Sequence, residues 1–237
     1  MTLTSGTLYL IPCAIATQTE DKVIPLHIRE TIKSLSHFMM ENLRTGRRFI
    51  SALKLDVDLD SLSLFELTKD SSFADIRSFC QPLLQGVSIG IISEAGCPGI
   101  ADPGALAVSW AHQHGVKVVP LVGPSSILLA LMASGFSGQS FTFHGYLPID
   151  KGERARTIRF MEKEANQFSR TQVFMETPYR NMKLLEDLLG ICQPITKLCI
   201  ACDITSPDEM IKTQTIQQWK LTKVDLNKKP AIFLIYS

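Results

Sequence analysis

A chain of 237 residues, 45% of them hydrophobic, is long enough to bury a sizeable core as one large or two small domains, which excludes a disordered chain. Its 24 basic and 23 acidic residues nearly cancel, which excludes the global positive field of a dedicated nucleic-acid binder and leaves only local patches for RNA. No apolar run approaches the roughly 20 residues of a membrane helix, and the start, Met1 to Ala16, lacks a leading basic residue and carries Pro12, so a cytoplasmic protein without signal peptide or membrane contact is expected.

Hydrophobic periodicity alternates between short β-rich runs and longer amphipathic ones, the pattern of an α/β protein. In chain order the spacing predicts a strand over Thr7 to Cys13, a helix over Pro25 to Leu35, a strand over Ser36 to Met40 and a helix over Arg44 to Leu53. A strand over Ser63 to Leu67, a helix over Phe73 to Leu84 and a strand over Val87 to Ile92 follow. The helix Pro103 to His114 is predicted with Asp102 as N-cap, Pro103 at its first position and Gly115 beyond its end. Then come a strand over Lys117 to Pro120, a helix over Ser125 to Ala133, a strand over Ser140 to Tyr146 and a helix over Gly152 to Glu164. Thr171 to Met175, Lys197 to Asp203 and Pro230 to Tyr236 read as strands, and Pro178 to Leu189 as a helix with one apolar stripe.

The stretch Gly115 to Ser126 divides five strands from four. It suggests two α/β domains, residues 1–119 and 120–237, with a ligand cleft between them. Six scattered cysteines read as reduced thiols; Cys199 and Cys202 lie three apart in a strand and so on opposite faces, which argues against a metal or redox pair. His112 and His114, in the last turn before Gly115, suit the helix dipole better than a metal, and no metal is expected.

After the strand ending at Ile92 the chain meets three glycines and two prolines between Gly96 and Gly104, just before a capped helix. Ligands bind beyond the carboxyl ends of strands in open α/β sheets, and glycine lets backbone approach them closely. Neither G-x-G-x-x-G nor G-x-x-x-x-G-K-[ST] occurs, and Glu94 and Asp102 would repel phosphate, so the loop suits a cationic ligand or one rich in hydroxyls and amines.

This loop, Ser93-Glu94-Ala95-Gly96-Cys97-Pro98-Gly99-Ile100-Ala101-Asp102-Pro103-Gly104, resembles the S-D-A-G-T-P-x-I-S-D-P-G signature of the tetrapyrrole-methylase superfamily, in its branch that methylates a ribose 2'-hydroxyl of small-subunit ribosomal RNA. Val118 to Ser126 resembles the branch's V-V-P-L-P-G-x-S/A-A, Phe143 to Pro148 its F-x-G-F-L-P, and Glu176 to Arg180 its E-S-P-H/Y-R. Glu41 to Arg48 is a weaker echo of A-E-D-T-R-x-T. The resemblance implies two α/β domains, a homodimer, and S-adenosyl-L-methionine as cofactor with S-adenosylhomocysteine as product. It places Ser93, Glu94, Ala95, Gly96, Cys97, Ile100 and Asp102 around the cofactor, with Ser125 and Ser126 at its carboxylate and Met175 near the adenosine.

The chain also departs from the branch. T-P-I-G-N-L-G-D after the first strand is replaced by Ile11 to Thr19 and R-E-L-T-K by Cys202 to Ser206, and no basic tail domain is expected, so the chain resembles a shortened, diverged member. Methyl transfer to a hydroxyl needs positioning and a base. Candidates are Glu176, Asp102, Glu94 and His144, with Glu176 preferred against the alternative that it only bonds Arg180. Arg44, Arg47 and Arg48, and Arg154, Arg156 and Arg159, read as solvated helix faces, or as phosphate contacts if ribosomal RNA or the small subunit is the partner. Two other readings stand beside the RNA methyltransferase: a cofactor-binding protein that has lost turnover and acts as an assembly partner, and a methyltransferase of small tetrapyrrole-type molecules.

Overall fold

The computed structural model describes residues 5–237; residues 1–4, the head of the segment Met1 to Ala16, lie outside the described residues. The chain forms two compact units, one running to Ser125 and the other Ser126–Ser237.

The first unit contains β1 (Thr7–Ile11), α1 (Glu20–Val23), α2 (Leu26–Ser34), β2 (His37–Met40), α3 (Leu43–Ala52), β3 (Ser63–Glu66), α4 (Phe73–Cys80), β4 (Ile89–Ile92), α5 (Gly104–Gln113) and β5 (Lys117–Pro120). Its sheet has the order β3-β2-β4-β1-β5 and every pairing is parallel, with Leu8 opposite Ile89 and His37 opposite both Ile89 and Ser63. A parallel sheet needs cover on both faces. Here Phe38 and Met40 pack with Ile28, Ile32, Phe49 and Ile50 of α2 and α3, while Met39, between them, joins Ile89, Ile91, Ile76 and Trp110 on the side of α4 and α5. The helix predicted as far as Leu84 stops at Cys80 and tightens into a 3-10 turn, Gln81–Gln85, around Pro82, which has no N–H to continue the α ladder.

The second unit contains α6 (Ser126–Ser134), β6 (Phe141–Tyr146), α7 (Lys151–Phe168), β7 (Thr171–Met175), α8 (Asn181–Ile191), β8 (Lys197–Cys202), β9 (Met210–Thr215), α9 (Ile216–Trp219) and β10 (Ala231–Tyr236). Its sheet is mixed, in the order β6-β7-β10-β8-β9, with only β6 and β7 parallel. One face packs on α7, α8 and α9 through Ile158, Leu184, Leu188 and Trp219; the other packs on α6 through Ala130 and Leu131. Cys202 belongs to the first of these clusters and Cys199 to the second, so the two thiols do face opposite ways, and all six cysteines are free.

Arg154 departs from the solvated helix face expected of it. It is not on a solvated face: at 7% exposure it donates through Nε and Nη2 to Asp187 Oδ2 (2.8 and 2.6 Å) and through Nη1 to the carbonyls of Pro148 and Ile149 (3.0 and 2.7 Å). A buried guanidinium is tolerable only when its donors are satisfied in this way. The result ties the end of the Phe143 to Pro148 motif to α8.

Candidate functional site

Because all five strands of the first unit run the same way, their carboxyl ends open on one edge of the sheet, and five loops meet there. Cys13, after β1, and Gly96, after β4, form an antiparallel bridge: Cys13 N–H donates to Gly96 O (2.8 Å) and Gly96 N–H to Cys13 O (3.2 Å). Cys13 Sγ donates to Ser93 O (3.1 Å) and Ser93 Oγ to Gly96 O (3.0 Å), closing a tight turn in which Gly96 has φ +72°. That left-handed conformation strains any residue with a Cβ.

Asp102 organises the other half of the loop. Its Oδ1 accepts the N–H groups of Gly99 and Gly104, both at 2.7 Å, so one carboxylate oxygen holds the turn and the first N–H of α5. The helix starts one residue later than predicted, at Gly104, with Pro103 as its N-cap. Asp102 Oδ2 is buried and has no hydrogen-bond partner among the described residues. Burial raises the Asp102 carboxyl above its usual range even though the two N–H groups pull it down.

Beside this loop lies a cavity of about 610 Å³, lined by Glu41 and Asn42 after β2, Thr68 and Lys69 after β3, and Glu94 and Asp102 after β4. Glu41 Oε2 accepts the Glu94 N–H (3.1 Å), which joins the loop after β2 to the loop after β4. Burial raises the Glu41 carboxyl; the bond from Glu94 N–H opposes this, and the charges of Glu94 and Asp102 add to it. Three carboxylates face one ammonium, Lys69, and a cationic ligand would restore the balance. Thr68 and Lys69 belong to no motif. Only the strand order β3-β2-β4 brings them here, so nothing in the local sequence marks them.

The remaining expected residues are distributed as follows. Ser93 is buried, Glu94 and Ala95 are exposed, and Ile100 is half exposed at 52%. Cys97 is half-buried with Sγ donating to Pro124 O (3.4 Å), so the loop after β5 also touches the Ser93 loop. Gly123 in that loop sits where a Cβ would lie 2.4 Å from Pro12 Cβ, so only glycine lets the loops after β1 and β5 approach this closely. Ser125 ends the first unit, half-buried, and Ser126 opens α6 in the second. Met175 ends β7, half-buried against the α6 side of the second sheet.

Glu176 follows β7 with its side chain 2% exposed. Its Oε1 accepts both Arg180 Nη2 (2.5 Å) and the Thr177 N–H (2.7 Å). His144 Nε2 lies 2.7 Å from Gln172 Oε1. His114 Nδ1 lies 2.8 Å from Trp110 O and its ring stacks on Trp110 at 4.0 Å, which is the helix-end role expected of it.

No family model matches the chain. Among curated proteins it is 29% identical over 231 residues to Ribosomal RNA small subunit methyltransferase I of Vibrio cholerae, covering 96% of this chain and 76% of that protein. Among solved structures it resembles the methyltransferase CobJ (TM-score 0.64, 15% identity, 98% of this chain and 95% of that one). It also resembles uroporphyrin-III C-methyl transferase of Thermus thermophilus complexed with S-adenyl homocysteine (TM-score 0.56, 16% identity, 98% of each chain). The fold is therefore that of the two-domain tetrapyrrole methylases. In sequence the chain is similar to the Ribosomal RNA small subunit methyltransferase I proteins.

Proposed function

We propose that this protein is an S-adenosyl-L-methionine-dependent methyltransferase acting on a ribose 2'-hydroxyl of 16S ribosomal RNA, with S-adenosylhomocysteine as product. The observation that carries the reading is the loop Ser93 to Gly104: its order of residues matches the ribosomal RNA branch, and it folds against the loops after β1 and β5 through Cys13, Gly96 and Pro124. The cofactor suits the residues present, since it carries a sulfonium and an ammonium and the adjoining cavity has three carboxylates, one with a buried unpartnered oxygen. When bound, it supplies the activated methyl group.

The chain's own contribution is shape and charge. Asp102 fixes the loop by gripping Gly99 and Gly104 N–H, Gly96 supplies the turn, and Glu41 locks the neighbouring loop through Glu94. Ser93, Ala95, Cys97, Ile100 and Ser125 complete the proposed cofactor residues of this unit; Ser126 and Met175 in the second unit are proposed on motif likeness alone. A homodimer is also proposed, supported by the outer strand β6, which leaves Phe141 (40%) and Tyr146 (55%) exposed on an open sheet edge. No helix among the described residues is long and apolar enough to cross a membrane; a cytoplasmic location is part of the proposal.

The test is incubation with radiolabelled S-adenosyl-L-methionine and small ribosomal subunits that lack the ribose methyl group, followed by mapping of the label. Label on a ribose supports the proposal. Cofactor binding by calorimetry with no label on ribosomes makes the protein a cofactor-binding partner instead, and absence of cofactor binding overturns both.

A further inference from the structure

Helix α3 begins at the rim of the cavity, where Asn42 both lines that cavity and caps the helix by accepting Thr45 N–H (3.0 Å). Its sequence, Leu43–Ala52, contains three arginines and no acidic residue. Arg44, in the first turn, lies near the positive end of the helix dipole, where a cation destabilises a helix. The helix dipole therefore does not account for Arg44.

The buried side of α3, Gly46, Phe49 and Ile50, faces the core. At 3.6 residues per turn, Arg44, Arg48 and Ser51 share the opposite side. Arg47 is engaged: it bonds Asp60 and donates to Leu59 O (3.3 Å). Arg44 and Arg48 are exposed and have no hydrogen bond or ion pair among the described residues. Arg48 and Ser51 border a second surface cavity of about 440 Å³. A stripe of free guanidinium groups and a hydroxyl, about 10 Å long from Arg44 to Ser51 at the helical rise, has the charge and reach of a contact for adjacent phosphates.

We infer that the exposed side of α3, through Arg44 and Arg48, binds the phosphodiester backbone of the RNA substrate and leads it to the cavity at Glu41 and Asp102. The inference rests on the ribosomal RNA reading above. It gives a protein whose net charge is only +1 a local electrostatic footprint at the place where the acceptor must be delivered.

The experiment compares the full chain with the double variant Arg44→Ala/Arg48→Ala and with Arg44→Lys/Arg48→Lys. It reads methyl transfer to unmethylated small subunits across a salt series, with cofactor affinity by calorimetry in parallel. The alanine variant is expected to raise KM for the subunit about tenfold or more and to flatten the salt dependence by roughly one to two in log–log slope, with cofactor affinity and melting temperature undiminished. The lysine variant should recover most of both. Wild-type KM and salt slope in the alanine variant would overturn the inference while leaving the enzyme reading intact. If the wild-type protein itself transfers no methyl group to subunits, the ribosomal RNA reading falls and this inference falls with it.

Discussion

Cys13 and Gly96 exchange two backbone hydrogen bonds, of 2.8 and 3.2 Å, and so fasten the loop after β1 to the loop after β4. The segment Ile11 to Thr19 departs most from the motif of the ribosomal RNA branch, yet its backbone still meets the segment that matches best. The main-chain bridge is open to any residue at position 13, and the Cys13 thiol adds a further bond to Ser93 O (3.1 Å).

Two glycines at this junction should respond differently to alanine. At Gly96 a Cβ would make only an ordinary contact, 3.5 Å from Pro124 O, so the cost comes from φ +72° and should be about 1 kcal/mol. At Gly123 the Cβ would overlap Pro12 Cβ at 2.4 Å, and relieving that overlap moves one of the two loops, at a cost of about 2–3 kcal/mol. Chemical denaturation of Gly96→Ala and Gly123→Ala should rank them in that order; the reverse ranking would show that the loops after β1 and β5 yield easily.

Glu41 makes stability depend on pH. Burial raises its carboxyl above the usual 4.5, so the folded state holds this proton more tightly than the unfolded chain. The stability it contributes is complete below 4.5 and is lost as pH rises through the raised value. Glu41→Gln keeps an oxygen for the Glu94 N–H and removes the buried charge. It should melt at a higher temperature than wild type at about pH 8 and gain nothing at about pH 4. Equal melting curves at both values would mean that Glu41 titrates as a solvated group.

What the sequence showed and what it hid divide along local and distant interactions. Lys117–Pro120 and Thr171–Met175 match their predicted limits: the first is a β-branched pair set between Gly115 and a proline, the second a β-rich run that ends shortly before Pro178. Met210–Thr215 went unrecognised: it is an edge strand whose Lys212 and Thr213 are exposed, and its pairing to β8 supplies the order its weak apolar pattern does not announce. Arg154 and Asp187 are 33 residues apart in sequence, so nothing local foretells a buried pair. The site follows the same rule. The Ser93 to Gly104 loop was legible as a run of glycine, proline and capping residues, whereas Thr68 and Lys69 reach the cavity only through the strand order.

Thiol chemistry offers a probe of the proposed cofactor loop. Cys13, Cys80, Cys192, Cys199 and Cys202 are buried, and burial pushes Cys80 and Cys192 up to about 12 and Cys202 to about 11. Cys97 is the half-buried one, raised by burial and then by the Asp102 charge. An alkylating reagent applied to the native protein should therefore modify Cys97 first, and slowly, while denaturant exposes all six. Saturating S-adenosyl-L-methionine should slow the Cys97 reaction further. Mass spectrometry showing faster reaction at a buried thiol, or no protection by the cofactor, would contradict this picture of the loop.

Motif position favours Glu176 as the base, but its Oε1 already serves Arg180 and the Thr177 N–H, which is the arrangement of a group that holds the turn into α8. The two roles separate by mutation. If Glu176 holds the turn, Glu176→Gln keeps an acceptor for Thr177, costs about 1 kcal/mol, and leaves methyl transfer within about tenfold of wild type with the same pH profile. Arg180→Ala should be the more damaging change, about 2–3 kcal/mol, because it strips the guanidinium from a carboxylate that is 2% exposed. If Glu176 is instead the base, Glu176→Gln loses on the order of 100- to 10,000-fold in kcat for the same cost in stability. Melting temperature and single-turnover rate, measured on both variants, distinguish a carboxylate that shapes the site from one that takes the proton.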